Sequence, residues 1–195
     1  MPPQPTASRP ASPPDRAPAL LARAARGDES AWRELVDLYW RRVYALSVSR
    51  CRDDDLAEEI TQSVFVTLAE QLTADAYTEK GRFEPWLFRI AMNRLRDEMR
   101  RRRRRPQASL ESADLPVAAS ANSADIEDDL AALRVALDSL SEADREIIEL
   151  RHHAELPFKE IAQMLQEPVG TLLARHHRAL AKLRDILART EGARS

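Results

Sequence analysis

Apolar residues return at every third or fourth position along much of this chain, which is the repeat that buries one face of a helix. Trp32, Leu35, Val36, Tyr39, Val43 and Leu46 form one such stripe, and Leu56, Ile60, Val64, Leu68 and Leu72 form a second. Asp28 or Ser30 before the first stripe, and Asp53 to Asp55 before the second, offer the short oxygen-bearing side chains that cap a helix and complement its dipole. A polar segment from Thr73 to Arg82 follows, in which Gly81 suits a turn. Phe83 to Met99 then predicts a third helix, which runs straight into the arginines Arg100 to Arg105.

Between positions 106 and 124 the composition shifts to Ala, Ser and Pro with no period, as expected of a flexible tether. Beyond it, Leu130, Leu133, Leu137 and Leu140 share one face of a helix opened by Asp125. Ser141 with Asp144 resembles a capping box ahead of Ile147, Ile148 and Leu150. Pro157 and Pro168 each suit the first turn of a following helix, where a missing amide hydrogen is harmless. Phe158 to Leu165, the short turn Gln166-Glu-Pro168 and a long basic helix from Val169 read as a helix-turn-helix. No segment reads as a strand. The expectation is an all-α chain of two small helical domains, 19–105 and 125–190, joined by the linker 106–124 and flanked by a disordered Pro-rich tail (1–18) and a short one (191–195).

Charge alters this picture only locally. The chain has 195 residues and a formal net charge of −2, but acids gather at 53–59 and 125–129 and bases at 89–105 and 175–189, so one patch can face a protein while another faces DNA. The single cysteine, Cys51, excludes an internal disulfide framework and any Cys-based zinc knuckle and fits a reducing cytosol. The N-terminus lacks the apolar core of a signal peptide, and no apolar run approaches the roughly 20 residues that cross a bilayer. A cytoplasmic protein with no membrane partner is expected. His152, His153, His176 and His177 lack cysteine partners at finger spacing, and neighbours on a helix diverge, so no metal site is expected. Neither a nucleophile with a matched base nor a Gly-rich phosphate loop is present, which predicts no catalysis, no cofactor and no small-molecule substrate.

The chemistry that remains is nucleic-acid recognition. On the last helix Val169, Leu172, His176, Ala179, Leu183 and Leu187 are expected to pack, leaving Thr171, Arg175, Arg178 and Lys182 free. A recognition helix reads bases from its N-terminal turns, which puts Thr171, Ala174, Arg175 and Arg178 within reach of base edges and Lys182 and Arg184 on phosphates. The arginine-ended helix joins exposed-type aromatics to a cationic stripe: aromatic faces stack on unpaired bases and arginines neutralise phosphates. Trp86, Ile90 and Asn93 fall close to one face of it, and Trp86 reads as core more readily than as a stacking platform.

Four motifs occur in order: Asp55-Leu-Ala-Glu-Glu-Ile-Thr-Gln-Ser-Val-Phe65; Phe83-x-x-Trp-Leu-x-x-Ile-Ala-x-Asn93 with Asp97 and Arg100; Lys159-Glu-Ile-Ala162; and Gly170-Thr171 on a helix reaching Arg178-Ala179. This ordered set closely resembles the extracytoplasmic-function group of bacterial sigma factors, from about Leu20 to Thr190. The resemblance implies that the first domain (region 2) grips core RNA polymerase and melts the −10 promoter element, while the second (region 4) reads the −35 element. It implies a polymerase-facing helix at Asp55, Glu58, Glu59 and Gln62. It implies a base-capturing loop that includes Thr78, Lys80 and Arg82, and nearby −10 contacts at Trp86, Asn93, Arg96 and Arg100. The −35 contacts would be Thr171, Ala174, Arg175, His177, Arg178 and Lys182. Such factors are often held inactive by an anti-sigma protein, a further partner the resemblance implies.

Family members often carry Lys-Ser after Gly-Thr-Val where this chain has Leu173-Ala174. A glycine commonly stands where Glu155 does, a Ser where Pro157 does, and an apolar residue where His176 does. Two other classes stay open on the residues alone. One is a free-standing helix-turn-helix regulator, which would bind duplex DNA tightly by itself. The other is a helical interaction protein with solvated basic runs, which would show no salt-sensitive DNA affinity.

Overall fold

The computed structural model describes residues 13–74, 82–104 and 123–192, and among these every regular element is an α-helix. Eight are found: α1 (Pro13–Ala24), α2 (Glu29–Cys51), α3 (Asp54–Thr73), α4 (Phe83–Arg104), α5 (Ser123–Asp138), α6 (Glu142–His152), α7 (Phe158–Leu165) and α8 (Val169–Gly192). The first helix starts inside the Pro-rich segment that reads as a tail. Pro18 lies within it, past the first turn, so the helix goes without one amide donor there, and Ala17, Leu20, Leu21 and Ala24 give it a buried face. Gly81, Thr78, Lys80, Arg105 and nearly all of the proposed tether fall outside the described residues.

The helix starts follow from the capping chemistry. Asp28, not Ser30, caps α2, its carboxylate accepting from the amides of Ser30 and Ala31 at 3.0 and 3.2 Å. Asp53 caps α3 by accepting from the Leu56 amide at 3.0 Å, and Ser141 caps α6 by accepting from the Asp144 amide at 3.2 Å. Three helix-end positions carry non-glycine residues in left-handed conformation: Arg52 (φ 53°), Glu155 (φ 55°) and Gln166 (φ 58°). Each terminates a helix or turns the chain where glycine would avoid a Cβ penalty.

In the first half, α2, α3 and α4 pack against one another and α1 lies across α2 and α4. Leu35, Tyr39, Val43 and Leu46 of α2 meet Val64 and Leu68 of α3 and Leu87, Phe88, Met92 and Leu95 of α4, all fully buried. In the second half, α8 packs on α5, α6 and α7 around Ile147, Leu150, Leu156, Ile161 and Leu172. The face expected of α5 is only partly used: Leu140 is buried, Leu137 packs at the edge, and Leu130 and Leu133 stay exposed. The two halves touch, α4 against α7 and α2 against α6.

Candidate nucleic-acid interface

The tight turn of the helix-turn-helix is made by Gln166, whose left-handed backbone ends α7, and by Pro168, whose carbonyl accepts from the amides of Thr171 and Leu172 at 3.0 and 3.2 Å. This aims the first turns of α8 outward. Thr171, Ala174, His177 and Arg178 are exposed there, while Leu172, Ala179 and Leu183 are buried beneath. Val169, expected to pack, is 39% exposed, because it is the first residue of the helix and nothing reaches over it.

Two of the side chains expected to be free have partners. Arg175 is held by Glu167, Nη1 to Oε1 at 2.9 Å and Nη2 to Oε2 at 2.7 Å, in the planar fork geometry that a guanidinium and a carboxylate share. The hydrogen bond from Arg175 foremost keeps the Glu167 carboxyl below its ordinary range. Lys182 donates from Nζ to the Ser139 carbonyl at 2.7 Å, just past the end of α5 where helix carbonyls lack amide donors.

His176 does belong to the packed side. Its ring is edge-on to Phe158, with centroids 5.1 Å apart, and its Nε2 lies 3.0 Å from Nε2 of His152. That distance requires one ring to donate and the other, neutral at Nε2, to accept. Burial, above all, lowers the pKa of both histidines. The pair joins two helices, unlike adjacent histidines, but no group of three metal-ligating side chains occurs among the described residues.

In the first half the basic helix α4 presents Asn93, Arg100 and Arg101 to solvent, and Asp97, Arg100, Arg101 and Arg104 line a shallow basin near its end. Arg82 is exposed just ahead of it. The aromatics behave differently from their exposed-type reading. Phe83 and Phe88 are buried, Phe83 edge-on to Tyr39 at 5.2 Å, and only Trp86 is half-exposed, 6.1 Å from Phe83. The reason is helical spacing: Phe83, Leu87, Phe88, Ala91 and Leu95 all lie on the face turned to α2 and α3. Arg96 is half-buried and ion-paired with Glu146 of α6. Across the molecule on α3, Asp55, Glu58, Glu59 and Gln62 are exposed along one face, and Gln62 donates to Glu58 at 3.0 Å.

Sequence reasoning missed Glu167, Glu146, Glu84 and Glu160. Glu167 carried a signal, an acidic residue in the turn of a basic motif. Buried Glu84 carried none, since glutamate at a helix start reads as solvated.

The described arrangement of α2 to α4 followed by a helix-turn-helix agrees with comparisons to known proteins. Residues 35–105 match the family description "Sigma-70 region 2", and residues 136–185 match "Sigma-70, region 4". The chain is 31% identical over 173 residues to the ECF RNA polymerase sigma factor SigK of Mycobacterium ulcerans, covering 87% of this chain and 92% of that one. The chain belongs to the sigma-70 family, in its extracytoplasmic-function group. It is also 36% identical over 172 residues to the ECF sigma factor SigE of Mycolicibacterium smegmatis, covering 85% of this chain but only 66% of that relative's length. Among solved structures, this sigma factor superposes on CnrH in complex with the cytosolic domain of CnrY with a TM-score of 0.68, at 27% identity, covering 88% of this chain and 96% of that one. A fold likeness extends to RpoE of Bartonella quintana, solved with the anti-sigma factor NepR, with a TM-score of 0.61 at 23% identity, covering 80% of this chain and 96% of that one. No described helix is long and apolar enough to cross a membrane.

Proposed function

We propose that this sigma factor divides promoter reading between its halves by the residues named above. Thr171, Ala174, Arg175, His177 and Arg178 read the −35 element in the major groove, with Lys182 on the backbone. Arg82, Trp86, Asn93, Arg96 and Arg100 act at the −10 element together with Thr78 and Lys80. Asp55, Glu58, Glu59 and Gln62 face core RNA polymerase. The observation that carries this reading is the Glu167–Arg175 fork beside exposed Thr171, Ala174 and Arg178, on the outward turns of a helix in a family that reads promoters. A guanidinium fixed in its plane is prepared for the two acceptors of a guanine edge. Held by one polymerase, two weak DNA contacts gain from effective concentration. An anti-sigma protein is a fitting regulator, since the neighbour RpoE of Bartonella quintana was solved with one, and the protein would act in the bacterial cytoplasm, where polymerase and DNA are.

The test is run-off transcription with purified bacterial core polymerase on fragments of the cognate genome. New discrete start sites that depend on the added protein are expected. Their absence, together with no complex with core on a sizing column, would overturn the reading in favour of a free-standing regulator.

A further inference from the structure

Region 4 is docked along α2 and α4 of region 2 through a continuous polar seam. Arg42 donates from Nε to the Ala154 carbonyl at 2.8 Å. Arg50 reaches Glu149 at 2.6 Å and also binds Glu142, while Arg145 binds the other oxygen of Glu149 at 2.7 Å and the Ser49 carbonyl at 2.7 Å. The Arg50 and Glu149 side chains are only 5% and 1% exposed, so this is a buried joint and not a chance surface contact. Arg52 pairs with Asp138, Arg96 pairs with Glu146, and Arg89 donates to the Met164 carbonyl at 2.9 Å. Region 4 therefore offers α4 the anionic and carbonyl groups that a nucleic-acid backbone would otherwise supply.

Geometry makes this docked form an off state for promoter reading. Elements centred near −10 and −35 are about 25 base pairs apart, or roughly 85 Å of duplex. A chain of this length packed as one body has a radius of gyration of about 16 Å. The docked halves cannot reach both elements.

One part of the seam is short of positive charge. Arg42 of α2 grips Glu84 of α4 by both oxygens, at 2.7 and 3.1 Å, and both side chains are nearly buried. Glu160 of α7 comes against the same Glu84, and both Glu160 Oε2 and the Tyr39 hydroxyl are buried with no hydrogen-bond partner in place. Two carboxylates thus lie near one guanidinium, which pairs only with Glu84. An ionised oxygen buried without a donor is costly, whereas a proton on Glu160 removes the repulsion from Glu84 and supplies the missing donor.

We propose that this seam is an autoinhibitory latch in which region 4 is held over Arg89 and Arg96 of region 2, and that a proton taken up by the buried Glu160 beside the Arg42–Glu84 pair controls its release. Burial first, then the charge of Glu84 and a hydrogen bond to it, push Glu160 up to about 7, against the countering charges of Arg42 and Lys159. A carboxyl whose pKa is raised on docking favours the docked form most below its ordinary value. That advantage falls as pH rises and is spent by about pH 7. Glu146, raised chiefly by its burial in spite of Arg96, acts with the same sign. Burial also works to raise Asp138 and Glu142, but Arg52 and Arg50 outweigh it, so both stay ionised through the neutral range. His153, beside Glu149 and Arg145 and lowered by burial, opposes docking as it charges in acid. On the remaining faces of α7, Arg89 caps its end, and Arg151 and His176 lie against Phe158.

The off-state meaning rests on the proposed promoter reading, but the latch itself does not, so its test uses no DNA and no polymerase. Small-angle X-ray scattering of the full chain at about pH 5.5 and about pH 8 should show expansion in alkali, with the docking constant falling about tenfold or more. Glu160→Gln, which mimics the protonated carboxyl, should stay compact at both pH values while keeping its helical circular dichroism. Glu84→Gln, which removes the neighbouring charge but not the burial of Glu160, should shrink the pH response. A wild-type radius that does not change with pH, or variants that expand just as the wild type does, would overturn the proposal. Loss of start sites in the transcription test would leave this result untouched.

Discussion

On the proposed reading, Arg175 is a side chain fixed in position before it is used. Glu167 occupies the fork on one edge of the guanidinium, and five donors leave others for a base. Holding the side chain before DNA arrives lowers the ordering cost of binding, which for a long flexible side chain is about 0.5–1.5 kcal/mol. Arg175→Ala is expected to reduce discrimination at the −35 element by roughly 10-fold or more, measured as promoter-mutant to wild-type ratios in run-off transcription, with unchanged affinity for core polymerase. Equal loss of both would mean that α8 is needed only for folding. Glu167→Gln keeps a neutral acceptor in the same place, so its effect on discrimination should be smaller than that of Arg175→Ala.

At the scale of the helix, the caps decide where elements begin, and one of them also ties two elements together. Asp53 accepts from the Leu56 amide and pairs with Arg102 of α4 at 2.7 Å; the Arg102 hydrogen bond foremost, then the Leu56 amide, keeps its carboxyl below the ordinary value. Asp53→Ala should cost about 1 kcal/mol in thermal or urea unfolding. Asp53→Asn preserves the cap, so it should recover most of that loss, and the remainder reports the exposed ion pair. If Asn fails to improve on Ala, capping is not what Asp53 contributes.

These elements were legible because capping and 3.6-residue spacing are local. The stripes on α2 and α3, the Ser141 cap and the helix-turn-helix all rest on residues a few positions apart. What sequence hid was long-range. Arg42 and Ala154 are 112 positions apart, and Arg50 and Glu149 are 99 apart, so a buried ion pair looks in sequence like two solvated charges. Phe83 and Phe88 misled for a related reason, since the helix face that buries them is chosen by α2 and α3 and not by their own neighbours. The helix α1 was obscured by prolines whose backbone cost is small near a helix start.

At the scale of the whole molecule, the proposed reading gives two surfaces different partners. Charge reversal at Glu58 and Glu59 together, on the exposed face of α3, is expected to weaken binding to core polymerase at least about tenfold by competition assay while leaving −35 discrimination intact. Unchanged polymerase affinity would remove α3 from that interface. Glu149 lies between the guanidiniums of Arg50 and Arg145 in the seam. Glu149→Gln withdraws the buried negative charge and leaves the cations poorly matched. Because most packing in each half is between its own helices, with fewer contacts across the seam, the seam should yield before either bundle does. Calorimetry should then resolve two unfolding transitions where the docked protein shows one. A single transition shifted downward would mean that the halves do not separate.

On the proposed reading, the pairing of Arg96 with Glu146 sets the protein's own surface in competition with DNA for the same cation. Dissolved salt then has two opposed effects on the free chain. It weakens the seam, exposing α4, and it also weakens every phosphate contact that α4 can make. An ordinary DNA-binding protein loses affinity along a straight line when both affinity and salt are plotted as logarithms. For this one, affinity for DNA should first rise with salt and only then fall, and the position of that maximum would measure how firmly the molecule holds itself shut.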